Sequence, residues 1–132
     1  MIDVVDKPSQ ASLDPRLKAL LEQETHAEKG YVYCATCSHV VSHIDQRIEV
    51  GGSHDHNFTN PHGFQFHLGC YREALGCTVT GPPNAADTWF PGHRWRLAQC
   101  EECAIHLGWF FADASDHAFF GLIIDRIQTD KQ

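Results

Sequence analysis

Two Cys-x-x-Cys pairs constrain this chain more than any other feature: Cys34 with Cys37, and Cys100 with Cys103. Two thiolates separated by two residues can sit on one tight turn and face one ion. Two such turns complete a tetrahedral shell of four sulfurs, which suits zinc. The long insert between the pairs, residues 38–99, must be folded so that the turns meet. His39 and His106 follow the two pairs closely, and each could replace a thiolate; four cysteines are the simpler set. The expected cofactor is one structural zinc ion. A shell closed by four protein ligands joins chain segments and leaves no position for a reacting water. The metal therefore does not by itself make the chain an enzyme.

Disulfides are the rival use of six cysteines. Met1–Gln10 holds two acids early and no apolar stretch, so it does not read as a secretory leader. A reducing cytoplasm, the expected location, keeps thiols free. A redox Cys-x-x-Cys usually opens a helix in a βαβ setting, and nothing here reads that way. Cys70 sits in an alternating pattern and reads as a small buried hydrophobe; Cys77 is a second lone thiol.

The length of 132 residues suits one domain, and 42% hydrophobic against 20% charged residues is not a disordered composition. Ten Lys and Arg against 17 Asp and Glu give a net charge of -7. An acidic chain without a basic stripe is a poor phosphate-backbone binder, so no nucleic-acid partner is expected. No apolar run approaches the roughly 20 residues of a membrane helix, so no membrane partner is expected either. With no exposed apolar stripe to be found in the sequence, the expected state is a monomer.

The element pattern is mainly β. Residues 12–28 read as a helix, with Asp14 as cap and Pro15 in the first turn. Residues 1–29 are then an N-terminal extension, 30–128 a zinc-binding β domain and 129–132 a tail. Residues 31–34 read as a strand, 40–50 as a strand pair or bent strand, and Gly51-Gly52 as a turn into a polar loop, Ser53–Asn57. Phe64, Phe66, Leu68 and Cys70 alternate with other residues at period two. A short strand before the Gly/Pro/Asn loop at 81–87 and strands at 95–98 and 109–112 follow, and 119–127 reads as one buried strand. The histidines at 54, 56 and 62 suggest a second metal site less well than a solvated loop.

Trp89, Trp95 and Trp109 lie close together in sequence, on either side of a Pro-Gly turn and the second cysteine pair. In a small β domain a tryptophan is first of all a core residue. Next to Gly/Pro turns, however, indoles tend to be partly exposed, and three of them can wall a pocket for a flat or cationic ligand.

These residues resemble a known family. The segments YCATC, GGSHDH, NPHGFQF, TWFPGHRW, QCEEC, HLGWFF and FFGLI fall in the order and spacing of the CULT domain, the thalidomide-binding domain family of cereblon, especially its small bacterial single-domain members. The match runs from Tyr33 to Ile127. The resemblance implies a β-tent fold: two antiparallel sheets pinned by one zinc ion, held by Cys34, Cys37, Cys100 and Cys103. It implies that Trp89, Trp95 and Trp109 form a cage for glutarimide and related cyclic imides, with Phe111 as the fourth wall. Backbone groups at Asp87 and Trp89, with Thr88 between them, would read the imide edge. Asn60 and Pro61 would close over the ligand and Phe66 would line the same pocket. Implied ligands are thalidomide-like drugs, uridine-like pyrimidines and C-terminal cyclic imides of modified proteins. An acid at position 87 departs from the His or Phe usual there. A ubiquitin-ligase role is not implied by a match to this domain alone.

The expected function is therefore a non-catalytic binding module. The alternative is a zinc-containing β-tent enzyme of the methionine sulfoxide reductase type, which would need Cys70 or Cys77 as a reactive thiol.

Overall fold

Period-two patterning and β-branched or aromatic runs favour strands from Tyr31 onward. The computed structural model, which describes residues 15–17 and 29–129, has nine strands there. They are β1 (Tyr31–Cys34), β2 (Val40–His43), β3 (Asp55–Thr59), β4 (Gln65–Tyr71), β5 (Cys77–Asn84), β6 (Arg94–Cys100), β7 (His106–Ala112), β8 (Ala118–Ile123) and β9 (Ile127–Thr129). A small sheet has the order β2-β1-β9, and a large one β3-β4-β8-β7-β6-β5. All neighbours are antiparallel.

Side chains alternate across a strand, so the large sheet has two apolar faces to cover. Consecutive residues divide accordingly. Tyr71 and Phe120 join Val32, Cys34, Val41, Ala98, Cys100 and Leu122 in one buried cluster, which unites the two sheets. Their neighbours Cys70 and Phe119 join Phe90 and Phe111 in a second cluster on the opposite face. The three tryptophans pack against that second cluster and are only half-buried.

Two glycines let β7 and β8 lie close enough for this. A Cβ on Gly108 would run into the carbonyl of Gly121. A Cβ on Gly121 would stand 3.1 Å from both Leu68 and the Phe111 ring.

Three sequence expectations need correction. The polar stretch after Gly51-Gly52 is not a solvated loop, because Asp55–Thr59 is β3. Its polarity suits an edge strand that is covered on one face only. The strand before the Gly/Pro/Asn loop does not stop early, since β5 continues through Pro82 and Pro83 to Asn84. The ladder to β6 shifts between Thr80 and Asn84, where prolines lacking an N–H are tolerated. The apolar run 119–127 is not one strand. A 3-10 turn at Ile124–Arg126 breaks it and sends β9 to the small sheet. Of the helix expected over 12–28, Pro15–Leu17 is helical and the remainder lies outside the described residues.

Replacing Gly108 by alanine should destabilise the fold by about 1–3 kcal/mol, because overpacked cores shift backbone to relieve a clash. Leu75, 83% exposed, is the control. Urea unfolding should show Leu75→Ala within about 0.5 kcal/mol of the parent. An equally small effect of Gly108→Ala would mean that β7 and β8 part easily.

Candidate metal centre and aromatic cleft

The first cysteine of each pair ends a strand: Cys34 closes β1 in the small sheet, and Cys100 closes β6 in the large one. The chain then turns in the same way twice. Cys34 N–H donates to His39 O (2.8 Å) and Ser38 N–H to Cys34 O (2.8 Å). Cys100 N–H donates to Ile105 O (2.9 Å) and Ala104 N–H to Cys100 O (2.9 Å). Ser38 and Ala104 both take a left-handed φ of 66°. These repeated turns aim four sulfurs at one point.

The four Sγ atoms all lie within 4.8 Å of one another. Cys34 and Cys103 are 3.7 Å apart, and Cys37 and Cys100 are 3.6 Å apart. Four sulfurs at about 2.3 Å from a central zinc would be about 3.8 Å apart, so the set fits one tetrahedral ion. The two histidine alternatives are otherwise engaged. His39 Nε2 lies 2.7 Å from Glu101 Oε2, bridging the two turns. His106 donates from Nε2 to Gly108 O at 2.8 Å. Burial, reinforced by the Arg126 cation, lowers the pKa of His106 and keeps its ring neutral.

The aromatic residues assemble on the other face of the large sheet. Trp95 on β6 is paired with Phe111 on β7, and Trp109 shares their face two residues before Phe111. Trp89 comes from the loop between β5 and β6. Its ring meets Trp109 edge-on at 4.8 Å. The Trp95 indole N–H donates to Ala86 O at 2.8 Å, which fixes that wall. Together they surround a cleft of about 200 Å³, lined also by Asn60, Pro61, Ala86, Asp87 and Phe111.

The remaining residues singled out in the sequence stand behind the walls or shape them. Phe66 packs on Trp89 and Trp109 at 5.9 and 5.2 Å. Thr88 bonds through its hydroxyl to the backbone of Phe90 at 3.4 Å. Asp87 takes a left-handed φ of 55°, turning the chain at the cleft. Asn60 Oδ1 accepts from the backbone N–H of His62 (3.0 Å) and Phe64 (2.9 Å), so this side chain folds its own loop.

Sequence reasoning missed two contributors. Ala86 supplies the carbonyl that holds Trp95, and the need of an indole N–H for a partner was the available signal. Phe58 stacks on Trp89 at 4.9 Å with ring planes 5° apart. It follows the polar stretch Ser53–Asn57 directly, and only the course of β3 turns its ring to Trp89.

No family model matches the chain. Among curated proteins it is similar to cereblon of Xenopus tropicalis, 35% identical over 75 residues, which are 54% of this chain and 17% of that protein. It is similar to cereblon of Danio rerio, 36% identical over 69 residues, 49% of this chain and 16% of that one. Cereblon of Drosophila erecta is 23% identical over 127 residues, 91% of this chain and 21% of the relative. The chain carries a cereblon-like CULT domain. It spans about a fifth or less of the length of the curated relatives it matches. Among the described residues, no helix is long and apolar enough to cross a membrane.

Elemental analysis of the purified chain should find one zinc per molecule, retained in His39→Ala and lost in Cys103→Ser. Loss of zinc from His39→Ala with retention in Cys103→Ser would reverse the ligand assignment. Removing a structural zinc ligand should also lower the melting temperature sharply, because metal-binding free energy is folding free energy.

Proposed function

We propose that the aromatic cleft binds one small flat ring with a carbonyl–N–H–carbonyl edge. Such a ring is a cyclic imide of the glutarimide type or a uracil-like base, and it is released unchanged. The unit that carries this function is residues 30–128. The observation that supports the reading is the cleft itself: three half-buried indoles and the buried Phe111 ring surround about 200 Å³. That volume suits a single ring better than a larger drug-sized molecule, whose pockets start at about 300 Å³.

An imide has two apolar faces and a polar edge. Indole walls remove water from its methylenes, and backbone groups at Asp87 and Trp89 would read the edge. Burial at about 0.8 kcal/mol per methylene and hydrogen bonds at about 1 kcal/mol each leave affinity of micromolar order after ordering costs. Thalidomide-like drugs and protein C-termini ending in a cyclic imide present the same ring, and belong to the proposed ligand class.

The reductase alternative needs a thiol that ionises near neutral pH. Cys70 lies under the cleft floor, packed in the cluster that contains Phe111, and burial pushes its thiol up to about 12. Burial likewise pushes Cys77 up to about 12. Both are therefore protonated and weakly nucleophilic at pH 7, which favours binding over thiol catalysis.

Tryptophan fluorescence of the zinc-loaded chain, titrated with glutarimide, tests the reading. Saturable quenching of micromolar order is expected, lost in folded Trp95→Ala and Trp109→Ala. Titration with uridine in parallel separates the two ring classes. No response to either ring at millimolar concentration, from a folded and zinc-loaded chain, would sink the proposal.

A further inference from the structure

Cys77 opens β5 and Cys100 closes β6, and the two are register partners. The phase of the ladder there is set by Glu101 N–H, which donates to Gly76 O at 3.0 Å. Gly76 and Glu101 thus face each other through a hydrogen bond, and the next pair, Cys77 with Cys100, falls in the non-hydrogen-bonded position. The other backbone bonds agree. Cys77 N–H turns away to Ala74 O (3.0 Å), and Cys100 N–H turns away to Ile105 O (2.9 Å).

In such a pair the Cα atoms are about 4.5 Å apart and the side chains lie close on one face. A disulfide spans Cα separations of about 4.4–6.8 Å. Cys77 and Cys100 also pack into the same apolar cluster, together with Cys34. The metal centre uses four cysteines and does not use Cys77. A fifth thiol therefore stands opposite a ligand sulfur, in a backbone arrangement that admits a bond between them.

We propose that Cys77 and Cys100 are an oxidation site: under peroxide they join in a disulfide that withdraws Cys100 from the four-sulfur cluster. Peroxide converts the Cys100 sulfur to a sulfenic acid, and its own O–O bond breaks to give one water. The Cys77 sulfur then attacks the sulfenyl sulfur, the S–S bond forms, and the sulfenic oxygen leaves as a second water with the Cys77 proton. The Cys100 thiolate and the Cys77 thiol together lose two electrons and one proton, solvent supplies a second proton as the metal bond is given up, and one peroxide becomes two waters. Cys77 is the resolving thiol and does not meet peroxide first; it gives up its proton as it attacks. Cys37 lies 3.6 Å from Cys100 and is the competing partner, but as a ligand itself its sulfur is held toward the ion, whereas that of Cys77 is not. Three remaining cysteines cannot complete the closed shell, so zinc release accompanies the bond. This inference does not depend on what the cleft binds.

The test treats the zinc-loaded full chain with hydrogen peroxide at neutral pH. Free thiols are alkylated, the unreduced digest is mapped by mass spectrometry, and released zinc is followed with a chromophoric chelator. A peptide joined through Cys77 and Cys100 should appear as zinc is released, and dithiothreitol with added zinc should reverse both changes. Cys77→Ala and Cys77→Val should each release zinc several-fold more slowly than the parent, while Cys70→Ala should match it. Disulfides formed only among Cys34, Cys37, Cys100 and Cys103 would overturn the proposal, and so would unchanged zinc release in folded Cys77 variants. The digest of the unsubstituted chain decides the question even if neither variant folds.

Discussion

Four sulfurs that meet at one point join the end of β1 to the end of β6, and thus the small sheet to the large one. The rest of the structure depends on this junction. The small sheet has three short strands, and its buried residues Val32, Cys34 and Val41 share one cluster with residues of the large sheet, so the tie holds together a core that both sheets build. The junction also has a backbone counterpart. Ala35 in the first turn donates to Arg126 O at 3.0 Å, and Arg126 Nη1 donates to His106 O at 2.8 Å. His106 in turn meets Trp109 edge-on at 4.7 Å. The metal centre is thus connected, through three residues, to a wall of the cleft.

The large sheet explains why the tryptophans are neither core nor ordinary surface. Phe111 and Phe119 occupy one face and Phe120 and Leu122 the other, so both faces require cover. The small sheet covers one. Over the other, Phe90, 7% exposed, closes the middle, and the indoles pack around it at the edge of the cluster. Phe90 meets Phe111 at 4.8 Å and Phe119 at 4.9 Å. The cleft is the place where this second apolar layer stops short of closing, and so its floor is core and its walls are half-exposed.

Much of this was legible in the sequence, and for physical reasons. The spacing of the cysteine pairs dictates the knuckles, because only a tight turn puts two thiolates on one ion. Period-two alternation marks β4, whose inward residues Leu68 and Cys70 are fully buried. The expectation of cleft walls rests on the resemblance and not on composition, because a tryptophan in a small β domain reads first as core. Two kinds of element were hidden. β3 is polar in composition, yet His56 and Phe58 turn inward to Phe90 while Asp55, Asn57 and Thr59 face solvent. An edge strand with histidine on its inner face looks like a loop when hydrophobicity is the guide. The run 119–127 failed in the opposite way: Ile123, Ile124 and Ile127 are all apolar, and the apolar run does not reveal that the chain changes sheets between them.

What the sequence could not supply is how firmly the walls are held, and this decides what a cleft of this size can do. Trp89 is backed by Phe58, and Phe58 by His56 at 5.7 Å with planes 3° apart. His56 is fixed by its Nε2–H, shared between Val50 O (2.9 Å) and Ser53 O (3.0 Å). Trp95 is fixed by Ala86 O, and Trp109 is held between Phe66 and His106. Each wall therefore has its orientation set by neighbouring protein groups: Phe58 for Trp89, Ala86 at the cleft rim for Trp95, and Phe66 and His106 for Trp109. A small ring offers few contacts, and its affinity is easily cancelled if side chains must be ordered on binding, at about 0.5–1.5 kcal/mol each. With three walls already ordered, little of the apolar burial of the proposed ring would be offset by ordering side chains, which leaves its lost translational and rotational freedom as the main opposing cost.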